Sequence, residues 1–321
     1  MKVKVGFLGC GGIAHAHMER LARMEDVEMV AFCDVVKERA EDSAKKYGGR
    51  AYTDHHEMLD KEKLDALYVA LPPVAHTDGE IIAAEKKIHI FVEKPIALTL
   101  EKAKEINEAI KKAGVISSVG YHFRYMDTVE EAKKLVEGKT IGMILGYWIG
   151  GFPGVYWWRR MDMSGGQIVE QTTHIFDLAR YFCGDVDEVY AAYGRKILTD
   201  IPESDVPDVG TVTMKFKDGT VGTVSNSCMI SQGFRVGVEL FLRDLVLEVG
   251  WRLRIIEPDK TIEKNLKVDP YWEEDRIFID AIKTGDASKI KSPYEDGLKS
   301  LAVSLAANKS WKEGKAVKVE I

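Results

Sequence analysis

Short apolar runs alternate with amphipathic segments across the first 120 residues, and this alternation restricts the fold more than any other feature of the chain. The runs are Val3–Leu8, Val27–Cys33, a weaker one at Arg50–Thr53, Leu64–Leu71, Ile88–Val92 and Val115–Val119. Helix-like segments lie between them at Ile13–Met24, Val36–Tyr47, His55–Leu59, Asp78–Lys87 and Leu100–Ala113. Near-continuous apolar strands joined by helices predict an α/β fold with a parallel sheet covered on both faces, here six strands in a doubly wound arrangement. Beyond Gly120 the rhythm changes. A helix at Thr128–Glu137, a strand at Ile144–Ile149 and a helix at Ile168–Phe182 precede strand-like runs at Glu188–Tyr193, Gly210–Phe216, Gly219–Ser225, Phe234–Leu242, Leu245–Val249 and Leu253–Glu257. Short turns such as Lys217-Asp218-Gly219 predict antiparallel pairing, and helices at Trp272–Lys283 and Tyr294–Lys312 close the chain. The length of 321 residues is about twice that of one average domain. The expected division is 1–120, a doubly wound parallel sheet, and 121–321, an α+β domain with a large, mostly antiparallel open sheet.

Composition sets the limits on function. The chain carries 45 Lys+Arg against 51 Asp+Glu, with 45% hydrophobic and 30% charged residues. That balance excludes an intrinsically disordered chain, and without a basic excess no nucleic-acid partner is expected. No stretch approaches the ~18 apolar residues of a membrane span. The apolar start is broken by Gly6, Gly9, Gly11 and Gly12 and runs into Glu19 and Arg20, so it reads as strand and turn rather than signal peptide. Cys10, Cys33, Cys183 and Cys228 form no CxxC pair and are expected to be reduced thiols in a cytoplasmic protein.

Several motifs carry chemistry. Gly9-Cys10-Gly11-Gly12-Ile13-Ala14 places GxGxxA between the first strand and the first helix, where a pyrophosphate can rest on helix N-terminal N–H groups. Asp34 ends the second strand, where a carboxylate bonds an adenosine ribose and repels a 2′-phosphate, favouring NAD over NADP; Lys37 and Arg39 nearby keep NADP open. Leu71-Pro72-Pro73, with His76 beyond, is either a crevice-lining loop or a rigid turn. Glu93-Lys94-Pro95 ends the fifth strand, and Lys94 there either projects into the crevice expected to hold nicotinamide or is simply a solvated charge. Within Gly165-Gly166…Glu170…His174…Asp177, a continuous helix puts Glu170, His174 and Asp177 on one face at i, i+4 and i+7. That face is either merely solvated or a His–carboxylate pair suited to general base catalysis. Tyr156-Trp157-Trp158-Arg159 offers rings for stacking on sugar faces, or equally for packing. His15 and His17 face different ways on a helix, His174 and Asp177 lack a third ligand, and no metal is expected.

Taken together, the glycine turn with Asp34, the Glu-Lys-Pro tripeptide and the Gly165–Asp177 pattern resemble the glucose–fructose oxidoreductase and inositol dehydrogenase (Gfo/Idh/MocA) family over essentially the whole chain. The resemblance implies an NAD-binding Rossmann domain followed by a substrate-binding and oligomerisation domain. It implies hydride transfer between a secondary hydroxyl of a sugar or cyclitol and NAD(P). By motif, Lys94 matches the family's active-site lysine, His174 its proton-transferring histidine and Glu170 its usual aspartate. Glu170 for Asp, and Thr172 where many members have Gly, are departures. Beside the glycines, Ile13, Asp34, Leu71, Pro72, His76, Glu93 and Lys94, the resemblance adds Arg124, Trp158 and Arg159 as cofactor contacts. Tyr121, His122, Tyr156 and Trp157 join Lys94, Glu170 and His174 on the substrate side. A homodimer or homotetramer through the C-terminal sheet is expected. An NAD-dependent glycosidase working by transient oxidation and elimination, or a sugar-sensing regulator, are the alternatives; retention of Lys94 and His174 argues against the regulator.

Overall fold

The computed structural model describes residues 2–321 and divides them into two compact units, one reaching to residue 122 and including 269–298, the other made of 123–268 and 299–321. The first unit runs β1 (Val3–Leu8), α1 (Gly12–Leu21), β2 (Val27–Cys33), α2 (Lys37–Tyr47), β3 (Arg50–Tyr52), α3 (His55–Lys61), β4 (Ala66–Val69), α4 (Gly79–Glu85), β5 (His89–Val92), α5 (Leu100–Ala113) and β6 (Ser117–Val119). All pairings are parallel, in the order β3-β2-β1-β4-β5-β6. This is the expected doubly wound sheet, whose order reverses between β1 and β4 and opens a crevice at the strands' carboxyl ends. Val5, Phe7, Ala66, Leu67, Ile90 and Phe91 are wholly buried, as a sheet covered on both faces requires.

In the second unit, α6 (Asp127–Val136) leads to β7 (Ile141–Ile149), then to α7 (Met161–Ser164), α8 (Gln167–Glu170) and α9 (Thr173–Cys183). β8 (Val186–Gly194), β9 (Val209–Phe216), β10 (Val221–Ser227), β11 (Arg235–Leu242), β12 (Leu245–Gly250), β13 (Arg252–Glu257) and β14 (Lys260–Asn265) follow. The chain then forms α10 (Pro270–Thr284), α11 (Tyr294–Glu313) and β15 (Val317–Lys318). Nine strands form one sheet, β14-β13-β12-β11-β7-β10-β9-β8-β15, parallel only at β7–β10. α9 lies so close over β7 that a Cβ on Gly146 would stand 2.5 Å from Ile175 Cγ2. Glycine at that position lets the helix come down on the sheet.

Three differences from the sequence reading have physical causes. The expected helix Ile168–Phe182 is broken: Thr172 N–H reaches Gln167 O and His174 N–H reaches Gln171 O, so α8 ends at Glu170 and a new helix begins. β14 was not anticipated because every residue in it is exposed, leaving no inside–outside alternation to read. Residues 269–298, placed by sequence order in the second domain, instead pack with the first unit. Phe278 and Ile279 of α10 are completely buried in the same apolar cluster as Phe7, Tyr68 and Phe91, a grouping that order along the chain does not reveal.

Candidate active site

In the first unit the glycine turn is built for a ligand's close approach. Gly9 has φ +92, and a Cβ there would lie 2.3 Å from Ala70 O, so only glycine fits. At Gly11 and Gly12 a Cβ would meet no atom within 4 Å, and no side chain caps the first N–H groups of α1. Asp34 fastens this turn to the end of β2: Oδ2 accepts from Cys10 N–H at 2.8 Å and Oδ1 from Val36 N–H at 2.9 Å. An open helix N-terminus beside a strand-end carboxylate fits a dinucleotide's pyrophosphate and ribose.

The Glu-Lys-Pro tripeptide follows β5. Lys94 is half-buried, and the Glu93 carboxylate turns inward, accepting from the Lys94 N–H at 3.1 Å and lying 2.9 Å from His17 Nε2. Leu71 and Pro72 are half-buried, while His76 is buried, its Nδ1 at 2.5 Å from Glu80 one turn on. Tyr121 and His122 are buried too. The His122 ring stacks on Tyr271 at 4.0 Å, and burial, reinforced by the Lys94 charge, pushes its pKa well below the usual range. Burial likewise pushes the Cys10 and Cys33 thiols up to about 12, so neither is a nucleophile at neutral pH.

In the second unit the break between α8 and α9 separates Glu170 from the helix carrying His174, which corrects the shared i, i+4, i+7 face. No solvated face exists there, since every residue of α9 but Tyr181 is buried. His174 forms a group of three nearly parallel rings with Phe123, at 5.0 Å, and Trp148, at 5.6 Å. Asp177 is held by Arg124 through two bonds of 2.8 and 2.7 Å and accepts from Ser300 Oγ at 2.7 Å. Glu170 accepts from the indole N–H of buried Trp158 at 2.7 Å. Trp157 is half-buried, Arg159 donates to Pro202 O at 3.3 Å, and Tyr156 is 52% exposed. The aromatic stretch therefore divides: Trp158 packs and orients Glu170, whereas Tyr156 stays accessible to a ligand.

Sequence reasoning missed Phe123 and Trp148 as neighbours of His174, and it met His17 only as a metal candidate. Asp275, which holds His17, lies 258 residues away from it in the chain, a separation that leaves no local signal.

Residues 3–121 match the family described as an oxidoreductase family with an NAD-binding Rossmann fold (GFO/IDH/MocA), and residues 129–245 match the GFO/IDH/MocA C-terminal domain. The chain is similar to a myo-inositol 2-dehydrogenase of Thermotoga maritima, 30% identical over 99% of both chains. It is 27% identical to an NAD(+) scyllo-inositol 2-dehydrogenase of Bacillus subtilis, over 100% of this chain and 97% of that one. Among solved structures, a probable dehydrogenase from Thermotoga maritima superposes with a TM-score of 0.83 at 28% identity over 99% of each chain.

Proposed function

The chain belongs to the GFO/IDH/MocA oxidoreductase family, and from that premise we propose that it oxidises a secondary hydroxyl of a sugar or cyclitol with NAD. The observation that carries this reading is the open glycine turn tied to Asp34, in a chain similar from end to end to inositol dehydrogenases. Bound NAD supplies the hydride acceptor. The chain's own residues do the rest. Gly11, Gly12 and Ile13 offer the α1 N-terminus to the pyrophosphate, and Asp34 takes the ribose hydroxyls, with Leu71 and Pro72 beside them. Lys94 offers its cation to the developing alkoxide, and His174 accepts the hydroxyl proton. Glu170, oriented by Trp158, contacts a hydroxyl or steadies His174. Arg124 acts at one remove, through Asp177, rather than on the cofactor.

The test is a panel of polyols, aldoses and glycosides with NAD and NADP, read at the NADH absorbance with product analysis. A free ketose or inosose accumulating with NADH supports the reading. Glycoside cleavage without net NADH would replace it with the elimination mechanism, and a higher kcat/KM with NADP would overturn the NAD preference.

The same proposal extends to assembly and compartment. Met143 and Val221, paired in register on adjacent strands, are 37% and 49% exposed, which supports a homodimer or homotetramer closed through the sheet. Sedimentation checks it: Val221→Lys should dissociate the oligomer, and a monomeric wild type would refute it. Four buried free cysteines support a cytoplasmic setting.

A further inference from the structure

We propose that His17, held in place by Asp275, is a positioning residue for Lys94, fixing the Glu93 carboxylate that holds the Lys94 backbone N–H. This rests on the reading of Lys94 as catalytic. The connections form one line: Asp275 Oδ1 lies 2.8 Å from His17 Nδ1, His17 Nε2 lies 2.9 Å from Glu93 Oε1, and Glu93 Oε2 accepts from Lys94 N–H at 3.1 Å. All three side chains in the line are buried. Glu93 occupies the space that glycine leaves at 120, where a Cβ would stand 2.6 Å from its Oε1. The His17 ring is packed edge-on against Phe91 at 5.0 Å and lies 5.6 Å from Tyr68.

An imidazole donates from both nitrogens only when protonated. Burial alone would push the His17 pKa down, but the charge and hydrogen bond of Asp275, with Glu93 adding to them, hold it well above the usual range. The cation therefore bonds a carboxylate at each nitrogen. His17 stands on α1, whose first turn is the glycine turn, so one helix carries both the phosphate cradle and the brace behind the lysine. A misplacement of about 1 Å in a reacting group can cost ~100-fold in rate, so such a brace has a measurable effect.

The experiment compares His17→Gln, whose amide nitrogen falls near Nε2, with His17→Asn, whose nitrogen falls near Nδ1. The readouts are kcat and KM on the best substrate of the panel and hydrogen exchange of the peptide containing Lys94 N–H, with Lys94→Met as reference. His17→Gln keeps the Glu93 bond and should hold kcat within about tenfold. His17→Asn loses that bond: kcat should fall a further ~10–100-fold with KM for NAD little changed, and Lys94 amide exchange should quicken about tenfold or more over His17→Gln. Equal effects of the two variants on both readouts overturn the proposal, as does stoichiometric metal held by His17, Glu93 and Glu274 in the purified protein. Full turnover in Lys94→Met would instead sink the catalytic assignment of the lysine. The exchange contrast still decides whether His17 holds its backbone.

Discussion

Asp34 has one structural purpose and, on the proposed reading, a second, and one variant measured with and without NAD reads both. Its oxygens fasten the glycine turn through Cys10 and Val36 N–H groups, and on the proposed reading they also bond ribose. Asp34→Ser should weaken NAD about tenfold or more and relax discrimination against NADP, with a loss of roughly 1–3 kcal/mol in stability from the unanchored turn. Thermal melts with and without NAD check both; an unchanged melting temperature would refute the anchoring role. At His174, replacement by Ala should lower kcat by ~10²–10⁴ while NAD affinity stays within about tenfold. Oxidation should rise with pH in the wild type as the base loses its proton, and that limb should vanish in His174→Ala. An unchanged pH–rate profile in the variant would remove His174 from the chemistry.

At the scale of the element, α10 brings two adjacent acids into the interior of the first unit. Glu274 is wholly buried, with neither oxygen hydrogen-bonded, and is faced by Glu93 after β5, by His17 and Arg20 on α1 and by Asp275 on its own helix. Burial, opposed by the His17 charge but reinforced by Glu93 and Asp275, raises its pKa well above the ordinary 4.5. The folded state therefore binds a proton that the unfolded chain has already released. Stability is fully present below about pH 4.5 and is lost as pH rises toward the raised folded value. Glu274→Gln removes this titration, so its stability should decline less than that of the wild type between about pH 5 and 8. Denaturant midpoints across that range check the difference; parallel curves would show the buried acid to be ionised. The α8–α9 break belongs to this scale as well. The 168–182 stretch has helical periodicity throughout, and only the backbone bonds around Gln171 and Thr172 decide that it is two helices.

For the whole molecule, the first unit is discontinuous in sequence, and this has a direct consequence for fragments. Phe278 and Ile279 are wholly buried, and Ile290 is 8% exposed, in the cluster that contains Phe7 and Phe91. Removing such side chains forfeits about 1.5–3 kcal/mol each, against a total stability of about 5–15 kcal/mol for a domain. A fragment of residues 1–122 should therefore fail to fold cooperatively. The same fragment joined by a short linker to residues 269–298 should fold and bind NAD. Calorimetry on both decides it, and a stable 1–122 fragment would overturn the division.

Where a signal is local, the chain states it in its own order. The apolar runs fixed six parallel strands because a strand buried on both faces must be apolar at successive residues, and the glycine turn with Asp34 could be read because a phosphate cradle uses neighbouring backbone groups. Lys94 and His174 could be named as candidates for the same reason, as short motifs at the end of a strand and on a helix. The tertiary structure alone decided what those residues touch. Asp177 was available to His174 by spacing, yet Arg124 and Ser300 hold it; Glu93 looked like a crevice residue, yet it turns inward to His17. Partners separated by 53, 76, 123 or 258 residues leave no periodicity to detect. A buried charge takes whichever opposite charge the packed chain brings within hydrogen-bond distance, because leaving it unpaired away from water costs more than any local preference can offset.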